Sequence, residues 1–401
     1  MKIFKNFKKG LTKNVIILGI VSGLTDISSE MLYPVVPIFL SNILNAPMTV
    51  IGLIEGIAES TANILKIWSG HISDKIKKRK SLVIIGYFLS AISKPVMAVA
   101  YSWYFVLFAR FIDRIGKGIR TSPRDALIAA SSDKDSWGKA FGFHRAMDTL
   151  GAAIGPLFTL LLLILLTETS NSYRIIFILA FIPAISGVFI LKKYVIDEQE
   201  NNFQNSKETP NFIEKTPLSL DFKIFVGIYT LFSLAKFSDA FLIMKVKSIG
   251  ISTTNTILIY FAYNIIYALL ATPAGIISDK IGKNRVFMIS FLIYSIVCLG
   301  FAISVNIYSV LVFFLIYSLY GALNEGIAKA IVSNMSTPFN RATAMGVFQG
   351  IGGVATFLSS LIAGLLWDKF SDKTPFFVSS IISFISLLFF YFWVKLRKIT
   401  I

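Results

Sequence analysis

Charge is scarce in this chain, and histidine and cysteine are scarcer. Of 401 residues, 15% are Asp, Glu, Lys or Arg, with two histidines and one cysteine. A soluble protein carries about 25% charged residues, so the polar surface that a water-covered fold needs is missing. The one cysteine, Cys298, excludes an intrachain disulfide. It lies inside an apolar run, reads as a small core residue, and leaves the redox compartment open. No nucleotide-binding loop, nucleophile–base constellation, metal-ligand spacing or cofactor motif occurs. An enzyme is therefore not expected, and neither is a cofactor. What is present is apolar: 55% hydrophobic and 14% aromatic residues, with a mean hydropathy of +0.71. This composition belongs in a lipid bilayer.

The formal net charge of +17 raises nucleic acid as a partner, but the basic residues gather on no single face. They recur in short clusters between apolar runs, which membrane topology explains and nucleic-acid binding does not. Residues 1–18 run from basic to apolar like a signal peptide. The apolar stretch continues past signal length without a small-x-small cleavage site, so it reads as an uncleaved first span.

A bilayer core of about 30 Å takes roughly 20 apolar residues per helix. That rule predicts twelve helices, near 14–40, 49–69, 80–100, 103–121, 139–166, 173–193, 222–245, 254–277, 286–304, 307–332, 342–366 and 374–395. Residues 194–221 are polar, contain Pro210 and Pro217, and have no apolar period, so they read as a linker. The expected organisation is a six-helix bundle over 1–193, a cytoplasmic linker over 194–221, and a second six-helix bundle over 222–401. Lysine and arginine crowd the N-terminal arm, the loop at 75–80, the linker and the C-terminal tail, whereas 41–48 and 305–306 have none. The positive-inside rule then puts both termini and the linker in the cytoplasm of a multi-pass cell-membrane protein.

One loop occurs twice. Residues 70–80 read GHISDKIKKRK and residues 275–285 read GIISDKIGKNR, each between two apolar runs. A charged loop repeated at half the chain length marks one half as a duplicate of the other, as in transporters built from repeats. Gly70, Asp74, Lys75, Lys78 and Arg79 fit the pattern G-x-x-x-D-[RK]-x-G-[RK]-[RK]; so do Gly275, Asp279, Lys280, Gly282 and Lys283. Lys77 and Asn284 depart from it. The loop resembles the signature of the major facilitator superfamily. Arg110-x-x-Asp113-Arg114-Ile115-Gly116-Lys117-Gly118 resembles that family's fourth-helix pattern, with Asp113 and Arg114 as departures. Gly151-x-x-x-Gly155-Pro156 resembles the start of the fifth-helix pattern shared among its proton-driven exporters, without the glycine pair that usually follows the proline. The resemblance implies an all-α integral membrane protein of two pseudo-symmetric six-helix bundles. It also implies that helices one, four, seven and ten line a cavity.

Ionisable groups in a span cost several kcal/mol unless they have a partner or a role. Asp26 and Glu30 share a face of the first helix, and Glu55 and Glu59 a face of the second. Antiparallel neighbours would bring the four carboxylates together, as a proton carrier or a cation site. Structural ion pairs with Lys94, Arg110 or Lys236 are the alternative. Asp113, Arg114, His144, Arg145 and Asp148, with the loop residues Gly70, Asp74, Arg79, Gly275 and Asp279, are candidates for a cytoplasmic latch; Arg120, Arg124 and Asp125 are expected in the following loop. His144 could instead relay a proton, and Arg110 is expected in the cavity. In the second half Lys236 and Asp239, three apart on helix seven, would neutralise one another. Asn324 and Glu325 complete the candidate substrate or proton-coupling set. Tyr33, Pro34 and Pro37 are expected to end and kink the first helix.

These features predict a secondary active transporter working by alternating access, with proton-coupled export of a small, cationic or amphipathic molecule. Its partners would be that substrate, protons and the bilayer. One chain already holds both bundles, so a monomer is expected. A proton symporter for a small metabolite or ion is the alternative, and a non-transporting sensor with the same fold is another. Divalent metal stays open as cargo, but the carboxylates lack the His or Cys companions of a selective transition-metal site.

Overall fold

The computed structural model describes residues 11–76, 79–133, 136–197, 218–337 and 340–397. They form twelve helical spans and no strand. The first half supplies α1 (Lys13–Leu32), α2 (Met48–Ile76), α3 (Arg79–Ala98), α4 (Trp103–Ala130), α5 (Trp137–Leu166) and α6 (Ser170–Tyr194). The second half supplies α7 in two pieces (Leu220–Ala235 and Ala240–Ser248), then α8 (Thr253–Ile281), α9 (Lys283–Ile303), α10 (Ile307–Asn334), α11 (Arg341–Lys369) and α12 (Thr374–Arg397). Side-chain oxygens set several starts: Thr12, Thr169, Ser219, Ser252 and Asn306 each accept a bond from a backbone N–H of the first turn.

Eleven of these spans are long and apolar enough to cross a membrane. The remaining one, α4, carries Arg110, Asp113, Arg114, Lys117, Arg120, Arg124 and Asp125. The expected loop at 120–125 is not a loop. The helix runs through Pro123 to Ala130, about 42 Å at the usual rise, so its charged end reaches beyond the bilayer core. The first span behaves as expected at its prolines. Regular helix stops at Leu32, a three-residue turn (Val36–Ile38) contains Pro37, and a wider π turn continues over Phe39–Ile43. The linker expected at 194–221 lies mostly outside the described residues, which resume at Leu218.

The chain divides into two compact units, one of 1–39 and 61–211, the other of 40–60 and 212–401. In the first unit α1 packs on α5 and α6, and α3 packs on α4 and α6. In the second, α7 packs on α11 and α12, and α9 on α10 and α12. The same four pairings, six helices on, give each unit the same plan. The first core is aliphatic, built from Val15, Leu18 and Val21 with Val83, Leu127 and Leu191. The second is aromatic: Phe232 stacks on Phe291 at 3.9 Å, and Phe225, Phe287 and Phe390 pack around them. Large apolar side chains such as Phe105, Leu165, Phe189 and Ile303 stay exposed, where lipid tails replace a protein partner.

Candidate functional site

Glycines decide what α1 meets. A methyl group on Gly151 would stand 2.5 Å from Gly23 O and 2.9 Å from Asp26 Cβ; one on Gly155 would stand 2.7 Å from Glu30 Cβ. Backbones this close need glycine. The glycines singled out on α5 therefore seat the two carboxylates singled out on α1, with Pro156 following in the same helix. Glu55 and Glu59 fall in the 40–60 segment, grouped with the second unit. There Gly52 and Gly56 let α2 close on Ser360 and Phe357 of α11.

Around Asp26 the first unit gathers further charge: Glu30, Asp148, Lys117 and Arg120 all act on it. His144 Nδ1 lies 3.5 Å from Asp148 Oδ2 and is buried. Arg124 holds Asp125 through Nε and Nη2, at 3.0 and 2.8 Å, and reaches Ser22 of α1 at 3.3 Å. Arg145, on α5 with His144 and Asp148, is exposed. Arg110, also buried, places its guanidinium 5.9 Å from the centre of the Tyr33 ring.

Asp113 and Arg114 are buried in an ion-pair network. Lys94 Nζ donates to Asp113 Oδ1 at 2.8 Å, Arg114 Nε stands 3.6 Å from the other oxygen, and all three residues are buried. Ser90 Oγ donates to the Asp113 carbonyl and accepts from Arg120, while the Arg120 guanidinium lies over Tyr87 at 4.6 Å. Gly86 and Gly116 bring α3 and α4 together at this point. The sequence signal for this network was a lone lysine, Lys94, in an otherwise apolar run.

The signature loops are partly visible. Gly70 meets Ser122 of α4, and Ser69 Oγ donates to the Gly118 carbonyl at 2.8 Å. Arg79 opens α3. In the second copy Gly275 has open space around it, and Gly282 adopts φ +95° between α8 and α9. The side chains of Asp74, Asp279 and Glu325 lie outside the described residues.

Lys236 and Asp239 are not on a helix. They bound the stretch 236–239 that interrupts α7, so helical spacing does not place them on one face. Tyr317 donates to Asp239 Oδ1 at 2.5 Å, and Lys236 Nζ lies 6.0 Å from the Tyr320 ring centre. Between them, Ser238 donates to Glu55 Oε2 at 3.5 Å, and its backbone N–H is bound by Ser360 Oγ. Asn324, 1% exposed, donates to Ser290 of α9. Sequence reasoning missed the tyrosines here. Tyr260, Tyr263 and Tyr267 at helical spacing on α8, and Tyr317 and Tyr320 on α10, were the available signal. It also missed Asp368, which accepts from Met48 N, Thr49 N and Thr49 Oγ1 at 3.0, 2.7 and 2.6 Å and so caps α2. Beyond the spans, burial opposes ionisation of Asp372. Bonds from Lys245 and Ser248 outweigh it and hold the carboxyl below its usual range.

Solved structures with this fold include membrane transporters. A bacterial homologue of the human lysosomal transporter Spinster, inward-facing and unoccupied, superposes with a TM-score of 0.78 at 14% identity, over 95% of this chain and 96% of that one. A D-xylose–proton symporter gives 0.74 at 15% identity, over 94% and 97%. An uncharacterised MFS-type transporter of Methanocaldococcus jannaschii is 37% identical over 382 residues, covering 94% of each chain. The family model described as Major Facilitator Superfamily matches residues 18–244 and 225–400. The chain belongs to that superfamily. It is a multi-pass membrane transporter of small molecules and not an enzyme.

Proposed function

We propose that the protein is a proton-coupled exporter in which the α1 carboxylates carry the coupling proton. The observation behind this is the seating of Asp26 and Glu30 on Gly151 and Gly155. A carboxylate wedged against a partner backbone feels its own protonation as a change in helix packing, because losing the charge relaxes its demand for nearby cations. Lys117, Arg120, His144 and Asp148 supply the neighbouring charge that responds.

In this reading the six helices of 1–193 and those of 222–401 alternate between inward- and outward-open arrangements. Both termini are cytoplasmic, and the protein works in the cell membrane as a monomer. Arg110, Lys236, Asp239, Asn324, Glu55, Glu59 and Glu325 face substrate or proton. Gly70, Asp74, Arg79, Gly275 and Asp279, with Asp113, Arg114 and Arg145, hold the cytoplasmic end closed. The direction of the proton is the testable point. In liposomes loaded with a pH-sensitive dye, a transported substrate moves protons opposite to itself, and Asp26→Asn together with Glu30→Gln abolishes that exchange. Proton movement in the same direction as substrate would establish symport instead. Coupled transport that survives both substitutions would remove these residues from the coupling role.

A further inference from the structure

We propose that His144, oriented by Asp148, carries the coupling proton between Asp26 and the end of the first unit where α4 runs past the bilayer core. The inference rests on the export reading for the role of Asp26, and adds the route by which the proton arrives.

The two helices concerned run parallel. Phe143 of α5 meets Gly19 of α1, Met147 meets Gly23, and Gly151 and Gly155 meet Asp26 and Glu30. This register puts Asp148 within a turn of the level of Asp26, and His144 one turn nearer the helix starts at Lys13 and Trp137. At the usual rise, Asp26 stands about 20 Å along α1 and His144 about 10 Å along α5. Among the neighbouring charges, Asp148 acts most strongly on Asp26.

The pair has the parts of a relay. His144 Nδ1 faces Asp148 Oδ2 at 3.5 Å, and the two side chains are 5% and 17% exposed. Their other polar atoms, His144 Nε2 and Asp148 Oδ1, are buried without a hydrogen-bond partner in the protein. The same holds for the hydroxyl of Tyr87 on α3. Arg124 of α4 is the common neighbour, since Tyr87, Asp148 and His144 all interact with it electrostatically. Buried polar atoms that side chains leave over are completed by water. An imidazole with one nitrogen on a carboxylate and the other on water can pass a proton through itself.

The charges facing His144 are Arg124 and Asp125 from α4, Arg145 and Asp148 from α5 itself, and Asp26 of α1 by way of Asp148. On α6 the charges lie near the ends, as Arg174, Lys192 and Lys193. A proton taken up at Nε2 makes the imidazolium. The Nδ1 proton then leaves to Asp148, and the Asp148 carboxyl hands a proton to Asp26. The count is conserved, the ring is left as the other tautomer, and a ring flip restores the first.

Infrared spectroscopy after a rapid drop in pH tests this on the purified full-length protein, without substrate. The probe is the carbonyl stretch of a protonated carboxyl, assigned to Asp26 by its loss in Asp26→Asn. His144→Gln slows the appearance of that band by about 100-fold or more and leaves its final amplitude in place. Asp148→Glu keeps the rate that Asp148→Asn loses. An unchanged rate in His144→Gln, with or without a lowered melting temperature, would make His144 structural. That result overturns the relay and leaves the export reading standing. A spectrum with no band that depends on Asp26 would overturn both. If His144 sets the rate but liposome exchange survives without Asp26, the export reading fails and the relay stands.

Discussion

At the scale of single residues, burial separates charges that hold the fold from charges that can work. Lys94 and Asp113 are 2% and 10% exposed at their side chains and bond at 2.8 Å. Removing one partner leaves the other buried without its counter-charge, a loss of about 3–5 kcal/mol. Asp113→Ala should therefore lower the melting temperature of the detergent-purified protein sharply. The double change Lys94→Met with Asp113→Leu should recover much of the loss. Equal destabilisation by the single and double changes would show that the pair is not coupled. Asp113 was legible as a polar residue in a helix. Its partner was not, because Lys94 lies on a different helix and only packing brings the two together.

At the scale of elements, glycine and proline set the breaks and the close approaches. Gly282 stands at φ +95° and ψ +133° between α8 and α9, a conformation that a side chain makes unfavourable by about 1–3 kcal/mol. Gly282→Ala should cost that much in unfolding measurements, while Gly138→Ala, with open space around it, should cost little. A matching loss at both positions would mean that backbone conformation is not what Gly282 provides. Helix identity was readable from apolar length for nearly every span. The exceptions were charged or broken: α4 runs on to Ala130, and α7 is interrupted where Lys236 and Asp239 sit. Local pattern could not show this. The continuation of α4 depends on partners for its arginines, and the gap in α7 on the bond Tyr317 donates to Asp239 and the bond Ser238 N–H donates to Ser360.

At the scale of the whole molecule, the repeated loop and the distribution of lysine carry the topology. The sole cysteine is buried, so a Cys298→Ser background admits single reporter cysteines. With Asn45→Cys, a membrane-impermeant thiol reagent should label intact cells. With Lys207→Cys, it should label only after the membrane is opened. The reverse pattern would invert the orientation drawn from the positive-inside rule.

The sequence by itself determined the membrane, the twelve spans, the duplication and the family, because hydropathy and a repeated motif are properties of the chain read in order. Only the tertiary structure decided what each carboxylate packs against within its own unit. In the first unit Asp26 and Glu30 face α5; in the second Glu55 accepts from Ser238 at the α7 break. Neighbours in sequence need not be neighbours in packing, and in lipid the choice falls to small-residue contacts such as Gly151 on Asp26 and Gly56 on Phe357. There apolar surface pairs with lipid as readily as with another helix, so hydrophobicity does not select the partner and close fit does.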